Sequence, residues 1–350
     1  MPKPRRKENK GLPERWTAHH GAYYYYVPKG MESAWEGKKK YKLGNSLPEA
    51  YAKYAEMVDV KDKITTVGEL LDRYVLEVVP TKAKATQNGN HAFIKRLRAT
   101  FSETPLLPFH PQRVYQYVQA RKAKVSAHRE VEILSHAYTK AVEWGLIAAH
   151  PFKGEVRLEG EASRSRYVED WEVIEFFSLD SKRKKGSVLM IQAYVKLKLL
   201  TGMSQGDLLR LQIPIHKQDD GIHIMRHKTA KKAGIRTIYA WTPALKSAWE
   251  QAVSARPCLS SFLFCNAKGK GYVNEEKGTQ AGFKSMWQRY MARLLKETDL
   301  KEPFTEHDLR AKVGSDAKSL EHAMMLLSHA DPRTTQKTYR RKAVLVNPLQ

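Results

Sequence analysis

The segment Ser187–Leu200 constrains the fold most strongly, because its apolar residues surround the helix axis instead of forming one stripe. A helix that is apolar on most sides is stable only when other elements enclose it. Gly202 follows almost directly, and glycine readily ends a helix in the left-handed conformation. The pattern predicts a buried central helix within a sizeable domain over residues 166–350.

The segments after this helix predict the elements that enclose it. Two β-type runs, Ile222–Met225 and Ile235–Trp241, are joined by a basic turn at residues 228–234. Thr242 and Pro243 combine a capping hydroxyl with a first-turn proline, which is a typical helix start. Two more helices are predicted, one containing Phe283, Trp287, Tyr290 and Leu294, and one capped by Thr305 and running from Glu306 to about Ala317.

Residues 64–160 predict a separate helical domain. Thr66 and Glu69 have the spacing of a capping box, and an apolar stripe follows them. Three further helices are predicted, at Phe93–Phe101, Pro111–Lys122 and Ala127–Gly145. The polar stretch Glu155–Ser165 has few apolar residues and is interpreted as the linker to the following domain.

Residues 1–63 predict a small basic module of mixed β and α structure. We expect one strand across Trp16–Val27, a second at Lys38–Leu43, and a helix that ends at Met57. The expected fold is therefore multi-domain and mainly α with small β-sheets, with boundaries at 1–63, 64–160 and 166–350.

The net charge narrows the class of partner. Lysine and arginine number 61 against 37 acidic residues, so the formal charge is +24. Such an excess favours a polyanion. A membrane span is not expected, because the chain has no apolar run of about 18 residues. A membrane surface is disfavoured as the partner, because the chain has no convincing basic amphipathic helix. The basic N-terminus lacks the apolar segment of a secretory signal, and two cysteines give no disulfide framework. Nucleic acid is the expected partner, and a reducing, intracellular compartment is the expected location.

The residues able to carry chemistry are concentrated near the C-terminus. His307 and Arg310 are three residues apart on a predicted helix, so they share one face. His329 lies in the sequence Leu327-Ser328-His329, and Tyr339 follows ten residues later. Lys228 lies upstream in the basic turn between the two predicted strands.

This order of residues resembles the tyrosine recombinase, or phage integrase, family. The resemblance covers most of the chain and is most specific in the second half, where the matching segments are Thr201-Gly202-Met203, Lys228-Thr229, His307-Asp308-Leu309-Arg310, Leu327-Ser328-His329 and Tyr339. It implies a helical core-binding (SAM-like) domain at 64–160 and a mixed α+β catalytic domain at 166–350. More weakly, residues 1–63 resemble the arm-type DNA-binding module of lambda-like integrases.

The chemistry of DNA strand cleavage explains such a set. A nucleophile must attack the phosphorus while preorganised cations stabilise charge on the non-bridging oxygens. A tyrosine hydroxyl, with an ordinary pKa of about 10, needs a proton acceptor or a strongly positive site. The resemblance implies that Tyr339 is the nucleophile, that Arg310 binds the phosphate, and that His307 and His329 bind the phosphate or relay the proton. It implies that Lys228 is the general acid, although Lys231 and Lys232 could serve instead.

Other basic residues are candidates for DNA contacts. Arg5 and Arg6 belong to a basic N-terminal arm, Lys95 and Arg98 lie on a predicted helix, and Lys231 and Lys232 share the turn of Lys228. No group of residues has the spacing of a metal site, and phosphotyrosine chemistry requires no ATP or metal. The expectation is no metal and no cofactor.

The sequence departs from the family pattern at Ser204. The family usually has an arginine there, two residues after the Thr-Gly pair, whereas Asp207 matches the acidic position that follows. Loss of one phosphate-binding donor slows such chemistry about 10²–10³-fold. The interval from His329 to Tyr339 is also one residue longer than the commonest one, so Thr338 occupies the usual tyrosine position.

The resemblance implies site-specific recombination between attachment sites through a 3′-phosphotyrosine and a Holliday junction. It implies a homo-tetramer on double-stranded DNA, and DNA-bending accessory proteins are possible partners. It also implies a location in the cytoplasm of a bacterial host, in association with the nucleoid. Ser204 keeps one alternative open, a DNA-binding or architectural regulator that retains the fold and cleaves poorly. A relaxing, topoisomerase-like activity without exchange of strands is a second alternative.

Overall fold

The computed structural model describes residues 9–57, 64–160, 164–181, 186–227 and 236–343. The chain divides into two compact units, one formed by residues 1–161 with 276–278 and the other by the remainder. The boundary falls within the polar stretch predicted as a linker. The two modules predicted before residue 160 form one unit, and a single cluster of buried apolar residues extends through it from Leu12 to Phe152.

The first unit begins with a three-stranded antiparallel sheet in the order β1–β2–β3. The prediction of one strand across Trp16–Val27 is wrong, because His20 and Gly21 adopt positive φ values of 47° and 73° and turn the chain into a hairpin. Tyr25 is buried, with its ring 4.6 Å from that of Trp35. The strands are β1 (Trp16–His19), β2 (Ala22–Tyr26) and β3 (Lys40–Gly44).

Helices complete the first unit, and the predicted capping box of Thr66 and Glu69 is present at the start of α2. The third helix begins at Lys84 instead of Phe93, because its first turns bury the polar residues Gln87 and Asn90, which give no apolar signal. The helices are α1 (Leu47–Met57), α2 (Val67–Glu77), α3 (Lys84–Phe101), α4 (Pro111–Ala120) and α5 (Lys124–Glu143).

The second unit is mainly helical with one two-stranded antiparallel sheet, as predicted. Among the described residues, no helix in either unit is both long and apolar enough to cross a membrane. The elements are α6 (Asp170–Ser178), α7 (Ser187–Thr201), α8 (Gln205–Leu208), α9 (Ile213–His216), β4 (Gly221–Met225), β5 (Arg236–Ala240), α10 (Pro243–Ser254), α11 (Ala281–Glu297), α12 (Glu306–Asp316), α13 (Leu320–Leu326) and α14 (Pro332–Tyr339).

Helix α7 is the buried central helix that the sequence predicts. Ile191, Tyr194 and Leu197 are fully buried, and α10, α11 and α12 pack around the helix. Lys198 is also fully buried, and its Nζ donates to a Glu306 carboxylate oxygen at 2.5 Å and to the Met203 carbonyl at 3.1 Å. Because burial of an unpaired charge is costly, this ion pair fixes the end of α7 against the start of α12.

Candidate active site

The start of α12 sets the direction of two candidate side chains. The Asp308 amide donates to Thr305 Oγ1 at 3.3 Å, and the Thr305 amide donates to the Asp308 carboxylate at 2.9 Å. This capping box satisfies amide groups that have no partner within the helix. His307 and Arg310 therefore lie one turn apart on the same face, as predicted.

The Arg310 guanidinium is almost completely buried, with 3% of the residue exposed. Nη1 donates to the Gly202 carbonyl, and Nη2 donates to the Leu327 carbonyl at 2.6 Å. Gly202 has φ of 66°, and a Cβ there would lie 3.0 Å from side-chain carbons of Val313 and Leu327. Both the backbone conformation and the close packing favour glycine, whose turn presents its carbonyl to Arg310.

His329 is joined to Arg310 by a hydrogen bond. Arg310 Nη2 lies 3.2 Å from His329 Nε2, and His329 Nδ1 lies 2.9 Å from Thr335 Oγ1. Since arginine can only donate, Nε2 is the acceptor and the network assigns the proton to Nδ1, which donates to Thr335. A neutral His329 is thus held in a fixed orientation beside the guanidinium.

Tyr339, the last residue of α14, meets these groups with its ring. The ring centroid is 5.2 Å from that of His307, 4.9 Å from that of His329 and 5.5 Å from Arg310 Cζ. The residue is 8% exposed. The structure therefore brings together four residues that the sequence separates into α12, the turn after α13 and the end of α14.

Arg341 fixes the end of α14 on α12. Its Nη1 donates to an Asp308 carboxylate oxygen at 2.7 Å, and its amide donates to Ser315 Oγ at 2.7 Å. Ser315 Oγ in turn donates to the Tyr339 carbonyl at 2.9 Å. Sequence reasoning missed this anchor, because Arg341 lies in a basic run that gives no sign of a buried ion pair.

His307 is held in its neutral form. Partial desolvation lowers the pKa of its imidazole below the ordinary value of 6.5, and the positive charges of Lys198, Arg341 and Arg310 lower it further against the opposing effect of Glu306. A neutral imidazole next to a tyrosine ring can accept a proton at neutral pH.

Ser204 provides a helix cap and no positive charge. Its Oγ donates to the Asp207 carboxylate at 2.7 Å and accepts from the Asp207 amide at 3.3 Å, at the start of α8. Ser, Thr, Asp and Asn are the preferred residues at such a position. The side chain that stands where the family usually has an arginine is thus engaged locally.

Arg226, directly after β4, is a further cation beside this cluster. Its Nη1 donates to the Ser328 carbonyl at 3.0 Å, and its side chain is half-buried. Burial lowers the pKa of Arg226, and the positive charge of Arg310 lowers it further. Sequence reasoning missed this residue, because its partner lies 102 positions further along the chain.

The predicted DNA-contacting residues fare differently. The prediction that Arg98 contacts DNA is corrected. Arg98 is 4% exposed, and its Nη1 donates to an Asp72 carboxylate oxygen at 2.5 Å, so its charge is paired inside the fold. Lys95 is half-buried and its role stays a prediction. The remaining candidates lie outside the described residues: Arg5, Arg6, Lys228, Lys231 and Lys232.

Most of the second unit is similar to a known protein family. Residues 176–344 match the model of the phage integrase family, and members of that family are tyrosine recombinases. No curated protein matches the chain.

Solved structures share the fold. A lambda integrase dimer bound to a COC′ core site superposes with a TM-score of 0.63 at 18% identity, covering 99% of each chain. A lambda integrase tetramer bound to a Holliday junction gives 0.60 at 19% identity, covering 92% of this chain and 97% of the other. The Tn1549 transposon integrase with a circular intermediate DNA gives 0.64 at 15%, covering 79% and 95%. Identities this low show the fold alone.

Proposed function

We propose that this chain is a site-specific DNA recombinase, an integrase of a prophage or mobile element. It cuts and rejoins double-stranded DNA at attachment sites through a 3′-phosphotyrosine intermediate and a Holliday junction, and it works as a tetramer on that DNA. The match of residues 176–344 to the phage integrase family supports this proposal. So do solved structures of the same fold that hold core-site DNA or a Holliday junction.

The observation that carries the proposal is the position of the Tyr339 ring. Its centroid lies 5.5 Å from the Arg310 guanidinium carbon, and 5.2 Å and 4.9 Å from the ring centroids of His307 and His329. Buried arginine beside tyrosine and neutral imidazole supplies a phosphate-binding cation, a nucleophile and a proton acceptor within one site.

The proposed reaction follows from these groups. The Tyr339 oxygen attacks the scissile phosphorus, its proton passes to the neutral His307, and the bond from phosphorus to the 5′ oxygen breaks. Arg310 stabilises the charge that develops on the non-bridging oxygens, and His329 holds the guanidinium in place through its hydrogen bond. The leaving 5′ oxygen takes a proton from Lys228, the role that resemblance to the family gives it. Because the new phosphotyrosine bond keeps the energy of the phosphodiester, a 5′ hydroxyl from another strand can reverse the step.

A DNA-binding regulator of the same fold is the second candidate. Ser204 favours it, because the hydroxyl is engaged with Asp207 and brings no positive charge to the site. A protein that lacks one phosphate-binding arginine would bind attachment-site DNA, together with any DNA-bending partners, and would cleave it slowly.

A nicked duplex tests the proposal. The nick lies beside the scissile phosphate, so the short 5′-hydroxyl fragment diffuses away after cleavage and the covalent complex is trapped. We expect the full-length protein to form an adduct on DNA that flanks its own gene, and we expect Tyr339→Phe to bind that DNA without an adduct. Binding by the unaltered protein without any adduct would contradict the proposal and favour the regulator, and relaxation of supercoiled DNA without strand exchange would favour a topoisomerase.

A further inference from the structure

We infer that Arg226 supplies the second phosphate-binding guanidinium that position 204 lacks, which makes it a catalytic residue. The inference rests on the proposed function, since it concerns the same scissile phosphate. The cation would then reach the phosphate from the end of β4 instead of from the start of α8.

Arg226 and Arg310 are fixed to consecutive backbone carbonyls of one turn. Arg310 Nη2 donates to the Leu327 carbonyl at 2.6 Å, and Arg226 Nη1 donates to the Ser328 carbonyl at 3.0 Å. The two arginines are near enough for the charge of Arg310 to act on Arg226, although α12 and β4 approach the turn separately. Two planar cations placed in this way can bind different oxygens of one phosphate.

Asp207 connects this place to position 204. One carboxylate oxygen accepts from Ser204 Oγ at 2.7 Å, and the other accepts from the His227 amide at 3.0 Å. The residue that follows Arg226 and the residue that stands at the usual arginine position therefore share one carboxylate. Arg226 therefore lies close to position 204 in space, although the two residues are distant in sequence.

No carboxylate of the described residues forms an ion pair with Arg226 or Arg310, and the nearby Asp207 acts on Arg226 only through its charge. Within the described part of the chain, the hydrogen bonds of Arg226 and Arg310 go to carbonyls and to His329, and neither guanidinium forms an ion pair with a carboxylate. Arg226 Nε is buried and has no partner among the described residues. Two like charges held together are mutually unfavourable until an anion binds between them, so the arrangement favours a phosphate.

Hydrogen bonds fix strand β5, which pairs with the strand that precedes Arg226, to the turn that contains Leu326 and Ser328. The Tyr239 hydroxyl donates to the Leu326 carbonyl at 2.9 Å, and the hydroxyls of Thr237 and Ser328 are 2.9 Å apart. Ser328 has φ of 49°, so the turn takes the left-handed form that directs its carbonyl to Arg226. Preorganised donors stabilise a transition state without first having to be rearranged.

The test measures adduct formation on the nicked duplex with the full-length protein. We expect Arg226→Gln to slow it about 10²–10³-fold, the usual cost of one such donor. Arg236→Gln removes the same charge from an exposed position on the paired strand and should leave the rate close to that of the unaltered protein. Ser204→Arg should restore much of the rate in the Arg226→Gln background and gain little by itself.

A neutral substrate separates charge stabilisation from folding. With a methylphosphonate at the scissile position, the unaltered protein and Arg226→Gln should differ far less than on the phosphodiester. The rate ratio between the two substrates is taken within one protein sample, so partial misfolding does not affect it. An equal loss on both substrates would overturn the inference, as would an Arg226→Gln variant that behaves like Arg236→Gln.

The outcomes also separate this inference from the proposed function. An adduct that depends on Tyr339 but not on Arg226 overturns only the role of Arg226. The absence of any adduct with the unaltered protein overturns the proposed function, and this inference with it.

Discussion

Arg98 in the first unit and Arg310 in the second are equally buried, at 4% and 3% exposed, yet their charges are balanced differently. Arg98 donates to the Asp72 carboxylate and to the Gly68 carbonyl, so it forms part of an ion pair. Arg310 donates to two carbonyls and to His329, and no described carboxylate pairs with it. Burial is therefore a poor guide to function, whereas a buried cation without a counter-ion indicates a site for an anion.

Neighbouring residues extend the contrast between the units. In the first unit, the fully buried Glu130 accepts hydrogen bonds from Arg121, Arg96 and Tyr117, so the charges there are neutralised within the fold. In the second unit, Arg226 lies beside Arg310 and adds to the positive charge. The charges around Glu130 are neutralised by ion pairs within the fold, whereas the charges of Arg226 and Arg310 remain available to bind an anion.

The largest expected effect is that of replacing Arg310, and it tests whether the two buried arginines differ in function. Arg310→Gln should slow adduct formation about 10²–10³-fold, because it removes a preorganised donor to the phosphate. Its effect on stability should be smaller than that of losing Arg98, since the loss of its three hydrogen bonds is offset by removal of a buried charge that has no described ion-pair partner. Single-turnover cleavage and hydrogen exchange on the same samples measure both quantities.

Arg310→Lys is the control for this variant. It keeps the charge but loses the planar pair of donors, so its cleavage rate should lie between those of Arg310→Gln and the unaltered protein. A full cleavage rate in Arg310→Gln would remove the distinction between the two arginines.

The second prediction is that replacing Arg98 lowers stability and leaves cleavage unchanged, the opposite of the effect expected for Arg310. Arg98→Met should destabilise the helices α2 and α3 by about 2 kcal/mol, because it removes the hydrogen bonds from the buried guanidinium to the Asp72 carboxylate and to the Gly68 carbonyl. Cleavage per folded molecule should stay unchanged. Hydrogen exchange of peptides from α2 and α3 measures the stability, and a selective loss of cleavage would instead give Arg98 the DNA-contacting role that the sequence suggested.

Much of the second unit could be predicted from sequence because its signals are local. The apolar pattern of α7, the cap at Thr305 and the spacing of His307 and Arg310 each lie within a few residues. The phage integrase resemblance also predicted roles for Tyr339 and His329, whose ring centroids lie 4.9 Å apart in the structure.

Residues whose roles depend on distant partners could not be predicted. Arg226 acquires its place through the Ser328 carbonyl, and Arg98 acquires its burial through Asp72 on another helix. Both appear in the sequence as ordinary basic residues, and a charge count treats them alike. Only the packing of the elements shows that one is neutralised and the other is not.

The third prediction uses a histidine of the first unit, where burial affects stability instead of chemistry. His91 stacks on Tyr51 at 5.7 Å between centroids, and burial lowers the pKa of its imidazole to about 4 from the ordinary 6.5. The unfolded chain therefore binds a proton at higher pH than the folded chain does. The melting temperature of the first unit should hold above pH 6.5 and fall as the pH decreases from 6.5 to about 4.

His91→Phe is the control for this pH dependence, because it keeps a ring against Tyr51 and removes the titrating group. Calorimetry should give a flatter pH profile for this variant over the same interval. An unchanged profile would assign the acid sensitivity of the first unit to other groups.

The smallest expected effect is stabilisation by phosphate, and its measurement shows which of the two units binds an anion. Inorganic phosphate at several times its dissociation constant should stabilise the second unit by about 1 kcal/mol, because it binds the folded state alone. That corresponds to a rise of about 2–4 °C in the melting temperature of a unit of this size.

Phosphate also stabilises proteins in general through exclusion from their surfaces, so the informative quantity is the difference between the unaltered protein and Arg310→Gln at matched ionic strength. The first unit should show the same small shift in both proteins, because the charges of Arg98 and Glu130 are already paired. An equal response of the second unit in both proteins would mean that the carbonyls around Arg310 already satisfy its charge, and the buried arginine would then be structural in both units.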